Sequence, residues 1–134
     1  MADLIVNVGL QVIGGRASNT ADAFNEIDGM SVDDSTVAFA ATDLALDTGG
    51  AITNEADADF DSTPTRSGQT ISHVSTFGTG VANFTIRRIA LHNQNAANIS
   101  SGSATLVAGV DGQSIVKSSD FSLTITLKIS YTSA

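Results

Sequence analysis

The stretch Phe121-Ser122-Leu123-Thr124-Ile125-Thr126-Leu127-Lys128-Ile129-Ser130-Tyr131-Thr132 decides the fold. Its alternation is unbroken, so Phe121, Leu123, Ile125, Leu127, Ile129 and Tyr131 share one face, while the hydroxyls and Lys128 share the other. Successive side chains of a strand point to opposite sides of a sheet, whereas a helix would spread these residues around its circumference. Period two therefore predicts a β-strand with one face in a core and one in water. At ~3.3 Å per residue it would run roughly 40 Å.

Upstream of this strand the same signal repeats in shorter pieces. Thr70 to Phe77 reads as a strand, Gly78-Thr79-Gly80 as a turn, and Val81 to His92 as a longer strand with apolar residues on both faces, so the two are expected to form a hairpin. Ala104 to Val110 is expected as a strand, Asp111-Gly112 as a tight turn, and Gln113 to Val116 as a short return strand. Short strands at this spacing predict an all-β fold: an antiparallel sandwich or a jelly-roll-like barrel. A single domain over residues 1–134 is expected.

The first half is less regular. Over residues 4–13, Leu4, Ile5, Val8 and Val12 have near-helical spacing, yet Val6, Val8, Leu10 and Val12 alternate, so a short N-terminal helix and an edge strand both fit. Gly14-Gly15 breaks that element, and Phe24 to Val32 reads as a strand weakened by Glu26 and Asp28. Residues 33–68 read as a loop-rich acidic segment, with a short strand at Val37-Ala38-Phe39 and a helical turn over Asp43 to Leu46 capped by Thr42. Within it Ala56, Ala58 and Phe60 alternate with Asp57, Asp59 and Asp61, and Pro64 closes the strand they imply.

Composition bounds the chemistry. A chain of 134 residues can bury about two thirds of its unfolded surface, and with no cysteine it must hold together by packing or assembly. Ser (16) and Thr (15) far outnumber the aromatic residues, which suits hydroxyl-rich strand faces that meet solvent and other copies. Asp3 stands where a signal peptide would be basic, and no run approaches the ~18 apolar residues of a membrane helix. The expectation is a chain made in the cytoplasm with no membrane partner. The sequons Asn83-Phe84-Thr85 and Asn98-Ile99-Ser100 are then read as chance.

Charge is divided unevenly. Residues 1–61 hold 12 acids against Arg16, a net of −11, and residues 62–134 hold two acids against five bases, a net of +3, summing to −8. An acidic patch on one copy meeting a basic patch on the next would set orientation more than affinity. Nucleic acid is not expected as a partner, because phosphate binding needs a basic footprint.

No motif carries catalysis. Asp57-x-Asp59-x-Asp61 has the spacing that opens a calcium loop, but Ser62 stands where glycine is needed and Gly68 where a bidentate glutamate is needed. These three acids are the weak metal candidates, and no cofactor is expected. His73 and His92 are the residues able to move protons near neutral pH, yet neither belongs to a local catalytic signature, so both read as structural or surface residues. Arg87 and Arg88 are adjacent on a strand and point to opposite faces, which makes them candidates for an assembly interface, one meeting acids of a second copy or lying over a sheet edge.

Four stretches carry a family resemblance: Asn7-Val8-Gly9-Leu10, Ala41-Thr42-Asp43-Leu44-Ala45-Leu46, Ala82 through Asn93 (Ala-Asn-Phe-Thr-Ile-Arg-Arg-Ile-Ala-Leu-His-Asn), and Asp120 to Thr132. In this order they resemble small β-rich structural proteins of tailed bacteriophages, of the head-decoration, tail-collar or tail-fibre-like kinds. The middle segment departs from that pattern in being more acidic. The resemblance implies no catalytic residue. It implies a virion protein on the outside of the head, a decoration or cement subunit whose partners are the major capsid protein and copies of itself. A collar or fibre adaptor on the tail is the alternative, and a carbohydrate-binding or filament-forming module a further one. Under this reading Leu4, Val8 and Val12 would dock, Arg87 and Arg88 would lie on an assembly face, and the Phe121 to Tyr131 face would be core.

Overall fold

In the computed structural model, which describes residues 3–5, 27–43, 52–93 and 106–130, every element is a β-strand and every pairing is antiparallel. In chain order they are β1 (Asp3–Ile5), β2 (Gly29–Asp33), β3 (Glu55–Asp59), β4 (Thr65–Ser67), β5 (Thr70–Phe77), β6 (Thr85–Ile86), β7 (Arg88–His92), β8 (Leu106–Val110), β9 (Ile115–Val116) and β10 (Leu123–Ser130). A five-stranded sheet has the order β1-β8-β7-β2-β3, a three-stranded sheet the order β10-β5-β4, and β6 pairs with β9.

The two larger sheets pack as a sandwich. Met30 and Val32 of β2, Ile89 and Leu91 of β7 and Ala108 of β8 point to one side of the large sheet, where they meet Phe77 of β5 and Ile125 and Ile129 of β10. Ala56, Ala58, Leu123 and Leu127 close the rim of this cluster. Each large apolar side chain removed from water here contributes roughly 1.5–3 kcal/mol.

The C-terminal alternation is therefore the inner face of β10, but it is shorter than its sequence suggests. Phe121 lies ahead of the strand and is 44% exposed. The reason is the partner: β5 ends at Phe77, opposite Leu123, so residues before Leu123 have no ladder to join. A turn fills that space, in which Ser118 Oγ accepts from the Asp120 N–H at 3.3 Å. Tyr131 lies outside the described residues.

The expected hairpin between β5 and residues 81–92 does not form. β5 pairs with β10 over eight positions and with β4 on its other side. The 81–92 segment divides at Arg87, whose N–H donates to the Asp33 carbonyl at 2.8 Å and whose own carbonyl accepts from the Gln113 N–H at 2.9 Å. Those two bonds take the Arg87 backbone out of a single ladder, so β6 and β7 join different sheets. The Asp111-Gly112 turn is present, with Gly112 at φ 68°, but the return strand β9 pairs with β6 and not with β8.

Two further expectations change. Residues 3–5 are a strand, Leu4 opposite Gly109, so a helix does not begin there; Val8 and Val12 lie outside the described residues. Val37 to Phe39 is loop and not strand. Val37 and Ala38 are exposed, and Phe39 alone of the three is buried, held there by the polar cluster described next.

Candidate assembly surface

The outer face of the large sheet is built around a buried ion pair. Asp33 ends β2, Arg88 starts β7, and the register sets them directly opposite, so both side chains leave the sheet on the same side. Asp33 Oδ2 accepts from Arg88 Nη2 at 2.8 Å and Oδ1 from Nε at 2.9 Å. Oδ1 also accepts from the Ser35 N–H at 2.9 Å, and Arg88 Nη1 donates to the Val37 carbonyl at 3.3 Å. The Phe39 ring lies 4.6 Å from the guanidinium carbon, a cation–π contact, and the Phe39 N–H donates to Asp111 Oδ2 at 2.9 Å. One guanidinium thus holds strand β2 and the following loop together.

Arg88, expected on an assembly face, is therefore interior: 2% exposed, against 0% for Asp33. Once the loop covers it, the guanidinium has the in-register carboxylate, in a bidentate pair, to offset its lost hydration. Gly109 completes the arrangement. A Cβ there would lie 2.3 Å from Phe39 Cε2, so glycine is what lets the ring approach β8 this closely.

Arg87 is half-buried, and its backbone marks the change of sheet. The second base drawn inward is Lys117, whose Nζ donates to Asn83 Oδ1 at 3.0 Å and to the Ser118 carbonyl at 3.3 Å. It also lies 5.8 Å from the Phe121 ring centroid.

The acidic candidates separate by partner. Asp57 is opposite Ser31, whose hydroxyl donates to its Oδ1 at 2.6 Å. Burial pushes the Asp57 carboxyl up to about 6, the Ser31 hydrogen bond opposing the rise and the nearby Glu55 charge adding to it. Asp61 instead accepts from the Thr76 N–H at 2.9 Å and from its hydroxyl at 2.7 Å, and Asp59 is exposed. The three do not gather around one point, and among the described residues no three acids or histidines are placed to hold a metal.

Among the described residues, two surfaces are exposed and could meet a partner. The outer face of the small sheet is a hydroxyl ladder, with Thr70 and Ser130 at 3.0 Å and Thr76 and Thr124 at 2.8 Å. At the end of the sandwich formed by the 78–84 and 117–122 loops, Val116 is 71% exposed, and Val81 and Phe121 are also exposed. The Lys117 to Asn83 hydrogen bond links those two loops.

Sequence reasoning missed the Asp33–Arg88 pair and the seat of Phe39 on Gly109. A faint signal existed: Ser31 and Asp33 alternate with Met30 and Val32, which marks Asp33 as facing away from the apolar core. Nothing in the sequence says that a loop would cover that second face. No family model, curated protein or solved structure matches this chain significantly.

Proposed function

We propose that this chain is a non-catalytic structural subunit of a tailed-bacteriophage virion, a decoration or cement protein on the outer surface of the head. The observation that carries the reading is where the polar chemistry goes. Arg88, Asp33, Asp111 and Lys117 are spent on holding loops to the sandwich. What the described surface offers outward is hydroxyls, carboxylates, the bases Arg66 and Lys128, and exposed apolar side chains at Val37, Val81, Val116 and Phe121. Such a surface suits lateral contact with large protein partners, here the major capsid protein and further copies of the chain. The resemblance of residues 82–93 and 120–132 to phage structural proteins supports the same assignment.

In this reading the sandwich acts as a rigid spacer. The apolar end would bury area across capsomer junctions, and the acidic residues of the first half would orient the subunit by charge. A collar or fibre adaptor of the tail is the second reading, supported by the same resemblance, and it differs in copy number. The deciding experiment is quantification of the chain against the major capsid protein in purified particles. Hundreds of copies per particle support decoration, a count near six or twelve moves the protein to the tail, and absence from particles removes both readings.

A further inference from the structure

We infer that the seam between the two sheets is an acid-sensitive joint, with His73 on β5 as its trigger: protonating this imidazole loosens the β4-β5-β10 sheet from the five-stranded sheet. The geometry is specific. His73, Ser75 and Phe77 share the inner face of β5, and the register sets them against Leu127, Ile125 and Leu123 of β10. His73 is 4% exposed and Ser75 0%. His73 Nδ1 and Ser75 Oγ are both buried without a hydrogen-bond partner. The Phe60 ring lies against the imidazole, centroids 5.2 Å apart and planes tilted by 50°.

A neutral imidazole fits this site, whereas an imidazolium does not. Protonation puts an N–H on both ring nitrogens, and Nδ1 has no acceptor within reach. No acid on β3, β4 or β10, the strands beside β5, shares the inner face with His73 among the described residues. The nearest such group by register is Asp28, just ahead of β2, half-buried with one carboxylate oxygen shielded from solvent and its N–H donating to the His92 carbonyl at 3.0 Å. On β3 the inward residues are Ala56 and Ala58, while Glu55, Asp57 and Asp59 leave by the opposite face. Asp61 is held on the outer side by Thr76. On β10 the inward residues are apolar, and Lys128 is exposed on the other face. On β4, Arg66 lies opposite Ile71 but is exposed, its Nε donating to the Gly68 carbonyl at 2.9 Å. Across the sandwich, β2 and β7 offer Met30, Val32, Ile89 and Leu91, with Asp33, Arg88 and His92 on the far side.

Burial accordingly holds the His73 imidazole below its ordinary range, with a hydrogen bond to the Leu127 backbone pulling the other way. A group with a depressed folded-state pKa contributes stability that is present above its unfolded value, near 6.5, and is lost as pH falls through the folded value. Below that point the charged ring must reach water. Ser75 Oγ, two residues along the same face, is a second polar partner for any water that enters, so the seam opens between β5 and the large sheet and not at a random place.

The test is amide hydrogen exchange of the whole chain, corrected for intrinsic rates, with imidazole NMR titration of both histidines, from pH 7.5 to pH 4.5. Expected in the wild type is a drop in protection of order tenfold in β5 and β10, tracking the His73 titration. In His73→Phe, and in the smaller His73→Leu, β5 and β10 should show no acid loss of protection over the same range, Asp57 acting only in the opposite direction. Protection that is flat with pH in the wild type overturns the proposal. So does an acid loss that persists in both variants or tracks only His92. If neither variant folds, the wild-type comparison of the His73 titration with β5 exchange decides alone: coincident midpoints support the joint, separated midpoints overturn it.

Discussion

Arg88 and Asp33 face each other across the β7–β2 register and close a bidentate pair, Nη2 to Oδ2 at 2.8 Å and Nε to Oδ1 at 2.9 Å, in a site from which solvent is excluded. The pair is the clasp of the molecule, because the same guanidinium also holds the Val37 carbonyl and the Phe39 ring. Losing one partner leaves the other as an uncompensated buried charge, which is more costly than never having had the pair.

Arg88→Met should therefore destabilise the fold by about 3–5 kcal/mol. Arg88→Met combined with Asp33→Asn should cost less than the sum of the two single changes, because the stranded charge is gone. Urea denaturation of the four proteins in the cycle measures this. Additive losses would show that the two side chains act independently.

Gly109→Ala should destabilise by about 1–3 kcal/mol, since the new methyl would meet the Phe39 ring at 2.3 Å and push it off β8. Adding Phe39→Leu should recover part of that loss by removing the clashing ring edge. Thermal unfolding of the single and double variants reads both effects, and a Gly109→Ala protein as stable as the parent would contradict the seating of Phe39.

Asp57 gives a pH dependence of opposite sign to that of His73. Its carboxyl is raised from 3.8 to about 6 by burial, so its favourable contribution is full below 3.8 and is lost as pH rises through about 6. Asp57→Asn keeps an acceptor for Ser31 but cannot ionise, so it should be more stable than the wild type at pH 7.5, with the advantage fading toward pH 4. Urea midpoints across that range test it, and an advantage that grows in acid would refute the assignment.

Val116→Ser with Phe121→Ser removes the exposed apolar end without touching the core, so stability should stay within about 0.5 kcal/mol. If this end is the contact that seats the protein on a particle, the double variant should fail to co-sediment with particles stripped of the native protein. Retained binding would direct the search to the hydroxyl face of β5 and β10.

The alternations of Leu123 to Ile129 and of Ala56 and Ala58 with Asp57 and Asp59 were legible because each strand buries one face, and period two survives in the sequence whenever the other face is wet. β2 and β7 were legible as strands, in the stretches Phe24 to Val32 and Val81 to His92, but the role of their polar residues was not. Both are buried on two faces, so Ser31, Asp33 and Arg88 break an apolar run without marking a surface. The candidate residues fared likewise: Arg88 read as a surface base because its counter-charge lies 55 residues away in the chain.

What the sequence determined by itself was local: all-β character, most of the strand positions, the apolar face of β10 and the division of charge, since each depends on neighbours within a few residues. What only the tertiary structure decided was pairing. β5 chose β10 over the segment that follows it, Arg87 became the change of sheet, and Arg88 and His73 went inward. Those outcomes depend on which backbone groups and which buried charges meet after distant segments come together, and hydrogen bonds and ion pairs of that kind leave no periodic trace in the chain.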